Sequence, residues 1–168
     1  MLKMRTLITL ALFFSFSLAN GQNLEMTDIR RDFKIGHKDK DLCQRYLKEL
    51  EEHANSSVER GYEAAYHMFM ANHTGNPFKK MSYFKSGRKM LEEAIQSDQN
   101  SVELRYIRLC IQYYIPSYLG YKGNVEEDKR YLTENLYKLR DDSVKDLIYN
   151  YLKGAKMYSD EELKLLGR

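Results

Sequence analysis

Apolar residues recur at intervals of three and four along almost the whole chain, and no long apolar–polar alternation interrupts them. That spacing lines one face of an α-helix, whereas a half-buried strand needs a period of two. The sequence therefore predicts an all-α fold of six or seven helices. The breaks between them are short, the longest running from Pro116 to Asn124. Connections of that length turn consecutive helices back on one another as antiparallel hairpins. The chain has two prolines, and both fall at predicted breaks.

Local signals place the helix ends. Gly36 stops a short first helix carrying Ile29 and Phe33, and a second spans about 39 to 53 with Cys43, Tyr46, Leu47 and Leu50 inward. Ser56 and Glu59 have the spacing of a capping box, in which each side chain bonds the other's backbone N–H. The helix they open carries Tyr62, Ala65 and Phe69 on one side. Asn76 suits a cap, and Pro77 a first helical position where its missing N–H costs nothing. That helix runs to about Gln96 with Phe84, Gly87, Leu91, Ala94 and Ile95 inward, and the small Gly87 and Ala94 allow a neighbour to approach closely. Asn100 with Glu103, Asn124 with Glu127, and Ser159 with Glu162 repeat the cap spacing. Asp142 or Ser143 opens a further helix that Gly154 ends.

The N-terminus has a different character. Lys3 and Arg5 precede a charge-free, mostly apolar run from Leu7 to Ala19, and Ala19-Asn20-Gly21 offers the small residues a signal peptidase reads. Residues 1–21 are expected to be a cleaved secretory signal peptide, leaving 22–168 as a single helical domain, periplasmic or secreted. The run falls short of the roughly 20 residues that span a bilayer. No other stretch approaches that length, so no transmembrane segment is expected after cleavage. Without Lys3 and Arg5 the 27 basic and 24 acidic residues come close to balance, which excludes a dedicated nucleic-acid binder. All 14 tyrosines lie beyond the leader and suit a core or a sticky surface equally. Two cysteines are too few for a disulfide-stapled miniprotein. An oxidising compartment permits a bond between Cys43 and Cys110, while their places in apolar helical patterns suit two separate buried thiols.

Two stretches resemble known families. Phe84, Gly87, Leu91, Ala94, Ile95, Asp98 and Asn100 resemble the second helix and exit turn of a tetratricopeptide repeat, with Gln99 where that repeat carries proline. The resemblance implies a degenerate, tetratricopeptide-like stack of hairpins with a concave binding face. Leu104 to Leu109, Gln112, Pro116, Leu119-Gly120-Tyr121, Asn124 and Asp128-Lys129 resemble a block found in small exported helical proteins of Bacteroidetes. That resemblance implies helical architecture and an exported, periplasmic location, and it brings no catalytic residues.

The helix from Ser101 to Ile115 carries the one unusual polar feature. Arg105, Arg108 and Gln112 fall within an arc of roughly 60° on a helix that is otherwise mostly apolar or aromatic. Such a helix is largely buried, and buried guanidinium groups need partners. Asp128 or the pair Glu92 and Glu93 could supply them, with Tyr121 packed over the turn. Alternatively the stripe, with Tyr121 and Asp128, lines a groove and binds a carboxylate in bidentate fashion.

Other clusters read more plainly. His67, Met68, Met70, His73 and Met81 cannot all face one ion from one turn of helix, so no metal or cofactor is expected. Lys79, Lys80, Lys85, Arg88 and Lys89 suit a solvated face. No nucleophile motif or phosphate-cradling loop is present. The leading expectation is a protein-interaction module whose groove binds a segment of another envelope or secreted protein. The alternatives are a small-ligand or enzymatic role for the Arg/Gln stripe, and a structural subunit of an envelope assembly.

Overall fold

Eight α-helices follow one another in the computed structural model, which describes residues 25–166. The expected leader, 1–21, lies outside those residues. The helices are α1 (Met26–Asp32), α2 (Lys40–His53), α3 (Ser57–Phe69), α4 (Pro77–Ser97), α5 (Val102–Tyr114), α6 (Val125–Asn135), α7 (Asp142–Gly154) and α8 (Asp160–Leu166). Short 3-10 turns follow α3, α5 and α6. The all-α expectation holds and the count is eight. The two terminal helices, seven residues each, are the ones the Gly36 stop and the Ser159–Glu162 cap spacing mark in the sequence.

Capping chemistry sets most boundaries. Asp39 accepts from the Leu42 N–H at 3.0 Å, Ser56 and Glu59 form the full reciprocal box, and Asn76 accepts from Phe78 and Lys79 ahead of Pro77. Two caps differ from expectation. Ser101, not Asn100, accepts from the Leu104 N–H, and Asp141, not Asp142 or Ser143, accepts from the Val144 N–H. In both cases the side chain three residues before the receiving amide, on extended backbone, is the one that reaches.

Paired contacts show the hairpins. Ser57 meets Ser97, and His67 meets Tyr83, so α3 and α4 run antiparallel. Arg105 meets Glu127 and Gln112 meets Asn124, which makes α5 and α6 antiparallel as well. Helix α5 packs on α3, α4 and α6 together. It therefore sits at the centre of the core. Leu104, Tyr106, Ile107 and Leu109 are fully buried there. Phe33 ties the layers together, with ring centroids 5.5 Å from Tyr62, 5.8 Å from Tyr106 and 6.3 Å from Tyr151. Both cysteines are free and buried. Burial pushes the Cys43 thiol up to about 12 and that of Cys110 above its ordinary range, so both are poor nucleophiles. No helix among the described residues is long and apolar enough to cross a membrane.

Gly87 explains the closeness of α3 and α4. A Cβ there would stand 2.6 Å from the Ala64 carbonyl oxygen and collide with the Met68 side chain. The methionine can move, but the backbone carbonyl cannot move without the helix. Gly87→Ala is therefore expected to lose up to about 2 kcal/mol. Overpacking costs about 1–3 kcal/mol, against about 1 kcal/mol gained in helix propensity. Urea denaturation checks this, and a variant more stable than the parent would refute the tight crossing.

Candidate functional site

The structure brings the five polar residues singled out in the sequence into one network. Arg108, 5% exposed, grips Asp128 in bidentate fashion, with Nε to Oδ2 and Nη2 to Oδ1 both 2.7 Å. Its remaining nitrogen reaches Glu92 at 3.1 Å. Arg105 sits one turn earlier, donating to Asp128 at 3.1 Å and to Glu127 at 2.7 Å, with its guanidinium over the Tyr131 ring. Gln112 exchanges two hydrogen bonds with Asn124, one to the side chain and one from the backbone N–H. This engagement explains why the Asn124 side chain accepts from no backbone N–H of α6, although its amide donates to Glu127 at 2.9 Å. Tyr121 donates to Glu92, and Arg88 covers its ring at 4.6 Å.

The electrostatics follow from that geometry. Asp128 is fully buried yet faces two cations, which offsets the heavy desolvation of a lone carboxylate. The Asn124 amide and the Arg105 guanidinium hold Glu127 below the usual carboxylate range. Burial, then Glu92, raises Tyr121, so it remains a neutral donor. Every nitrogen of Arg108 has a carboxylate partner, and helix α6 covers the stripe. No open face is left on it for a ligand carboxylate. A second internal pair lies on the opposite face of α5, in its first turn. Glu103 receives Arg30 at 2.6 and 3.0 Å and the Tyr62 hydroxyl at 2.9 Å.

The histidines are engaged locally: a ring nitrogen of His67 lies 3.2 Å from the Tyr83 carbonyl oxygen, and one of His73 lies 2.9 Å from that of Gly36. Among the described residues no group of three or more His, Cys, Asp or Glu is placed to hold a metal ion.

The open feature lies elsewhere. A groove of about 1110 Å³ runs between the turn after α1, the start of α4, the end of α5 and helix α7. Phe33, Met68, Phe69 and Phe84 contribute to its apolar surface on one side, with Ile111, Leu147 and Tyr151 on the other. Its basic lining is Arg30, Arg31, Lys34, His37, Lys38 and Lys80, and no carboxylate lines it. Arg30 is bound to Glu103, and Arg31 to Asp28 and Asp32. Lys34, Lys38 and Lys80 are exposed and have no ion-pair partner among the described residues. Burial, then the nearby Lys38, lowers His37, so it is neutral at pH 7. Tyr114 and Tyr118 line the groove while standing 59% and 84% exposed. Phe78, 85% exposed, lies on the same turn of α4 as Pro77 and Met81.

No protein-family model matches the chain, and no curated protein or solved structure matches it either. The groove is therefore read from its own geometry. Five segments far apart in the chain each supply one face of it, so no single motif announces it in sequence. The available signal was the run Tyr113, Tyr114, Pro116 and Tyr118, which places aromatics outside the inward stripe just where α5 ends.

Proposed function

We propose that this protein is an exported helical interaction module, and that its groove holds an apolar segment of an envelope or secreted partner. The apolar, solvent-open groove beside exposed aromatics carries the reading, because contiguous apolar surface of that kind marks interaction sites. Tyrosine and phenylalanine standing free at its mouth supply rigid contact area at low entropic cost. The charged leader and its small-residue cleavage site support export.

Plugging the groove tests the proposal. Asn72 and Asn150 line it and are exposed, so Asn72→Trp with Asn150→Trp fills space without touching the core. The unaltered protein is expected to retain a stoichiometric partner from an envelope extract. The plugged variant, with unchanged melting temperature, should lose at least about 90% of it, a tenfold weakening. A partner that survives the plug, or a protein that captures only a small molecule, refutes the reading.

A further inference from the structure

Resting on that reading of the groove, we infer that its occupant is an acidic amphipathic helix. Three observations point there. First, the charge is one-sided. The chain as a whole is nearly balanced, 27 basic to 24 acidic residues, yet every charged side chain lining the groove is cationic. The cations without internal partners, Lys34, Lys38 and Lys80, belong to the turn after α1 and the start of α4. Carboxylates on an occupant's outer face would meet them there.

Second, the walls offer little to a bare peptide backbone. Their helical parts have N–H and C=O groups already bonded along the helix, the turns after α1, α3 and α5 supply the rest, and Asn72 and Asn150 are the only side-chain amides. An extended segment buried there would leave backbone groups without partners, at high cost. A helix satisfies its own backbone and presents apolar side chains at i, i+3, i+4 and i+7, as in other helix-in-groove complexes.

Third, the size suits a helix better than a small molecule. Drug-sized ligands occupy pockets of roughly 300–1,000 Å³, and about 1110 Å³ exceeds that even before the exposed Phe78 and Tyr118 are counted. A single acyl chain would leave those aromatics uncovered.

The chain has no tryptophan, so Tyr114→Trp places a lone fluorescent reporter on the groove wall. Two synthetic helical peptides of about 18 residues serve as probes, with identical leucine and phenylalanine anchors and either glutamate or lysine on the polar face. The glutamate peptide is expected to shift the reporter to the blue and to bind at least about tenfold more tightly than the lysine peptide. The gap should shrink in about 1 M salt, where exposed charges are screened. The triple variant Lys34→Glu, Lys38→Glu and Lys80→Glu should reverse the order of the two peptides while retaining its melting temperature. Equal binding of both peptides, blocked by Asn72→Phe with Asn150→Phe, which keep the reporter the lone tryptophan, would leave the groove as a docking site and overturn its acidic preference. Dodecanoate that moves the reporter when neither peptide does would overturn the helical occupant in favour of an anionic amphiphile. Silence of the reporter towards all three probes also overturns it, and the partner-capture experiment then decides the groove on its own.

Discussion

Asp128→Ala is expected to destabilise the fold by about 3–5 kcal/mol, because it leaves buried guanidinium groups without their shared counter-ion. In a domain of this size that lowers the melting temperature by about 10 °C or more. Arg108 is the more exposed to the loss in energetic terms, since two of its three contacts end on Asp128. Arg105 keeps Glu127, which reaches water. Replacing all three by hydrophobic residues of similar volume, Arg105→Met, Arg108→Met and Asp128→Leu, should restore most of the stability. Glu92 and Glu127, 39% and 55% exposed, can then turn to solvent. Thermal and urea denaturation of the two variants check the pair of results. A loss below about 1 kcal/mol for Asp128→Ala would mean that water has replaced the carboxylate and that the network is not sealed.

The second large effect is a steep alkaline collapse. Tyr62, Tyr66 and Tyr106 are fully buried, and burial raises all three well above their ordinary value. Tyr62 also donates to Glu103, so its ionisation would set two anions side by side. A folded-state value above the unfolded one means the stabilisation is complete below about pH 10 and is lost as pH rises through the interval between them. Each such tyrosine removes about 1.4 kcal/mol per pH unit above 10, so the three together remove about 4 kcal/mol per unit. Tyr121, Tyr151 and Tyr158 are raised as well and act in the same direction. With about 5–15 kcal/mol of total stability, unfolding should occur cooperatively within one to a few pH units above 10. Tyrosinate absorbance followed beside circular dichroism checks this. The buried tyrosines should ionise together with the loss of helix. A smooth titration of all tyrosines near pH 10 with the helix intact would contradict the packing. The acid limb should be shallower. The depressed carboxylates Asp32, Glu59, Glu127 and Glu162 lose their contribution as pH falls below about 4.5, but they lie largely at the surface, where such pairs are weak.

What could be read from the sequence was what is local. Asp39, the Ser56–Glu59 box and the Asn76-Pro77 pair mark their helix starts because a cap is a contract between residues two or three apart. Gly87 and Ala94 marked the face of α4 that α3 approaches, since only small residues leave room for a neighbouring backbone. Asp128 was readable as one of the possible partners of the arginine stripe, because a buried guanidinium demands a carboxylate. The choice among those carboxylates was not readable, as it depends on how α6 lies across α5. Asn124 shows why local chemistry misleads where tertiary contacts compete: its side-chain oxygen serves Gln112 instead of a backbone N–H of its own helix. The groove was illegible for a related reason. Lys34, Lys80, Tyr114 and Leu147 share no spacing, and only the packing of four helices brings them to one surface.

The single carboxylate between two arginines also acts as a ruler. Helix α6 buries only Asp128 and Leu132 of its own residues, so apolar contact alone fixes its axial position poorly. Sliding it by one turn, about 5.4 Å, would bring Asn124 or Leu132 opposite Arg108 and leave a guanidinium facing an amide or a methyl group. Leucine tolerates such a slip, and a buried charge does not. The network therefore adds less to the depth of the native well than to the height of its neighbours. It rejects out-of-register dockings of α6 against α5 that an all-leucine seam would accept.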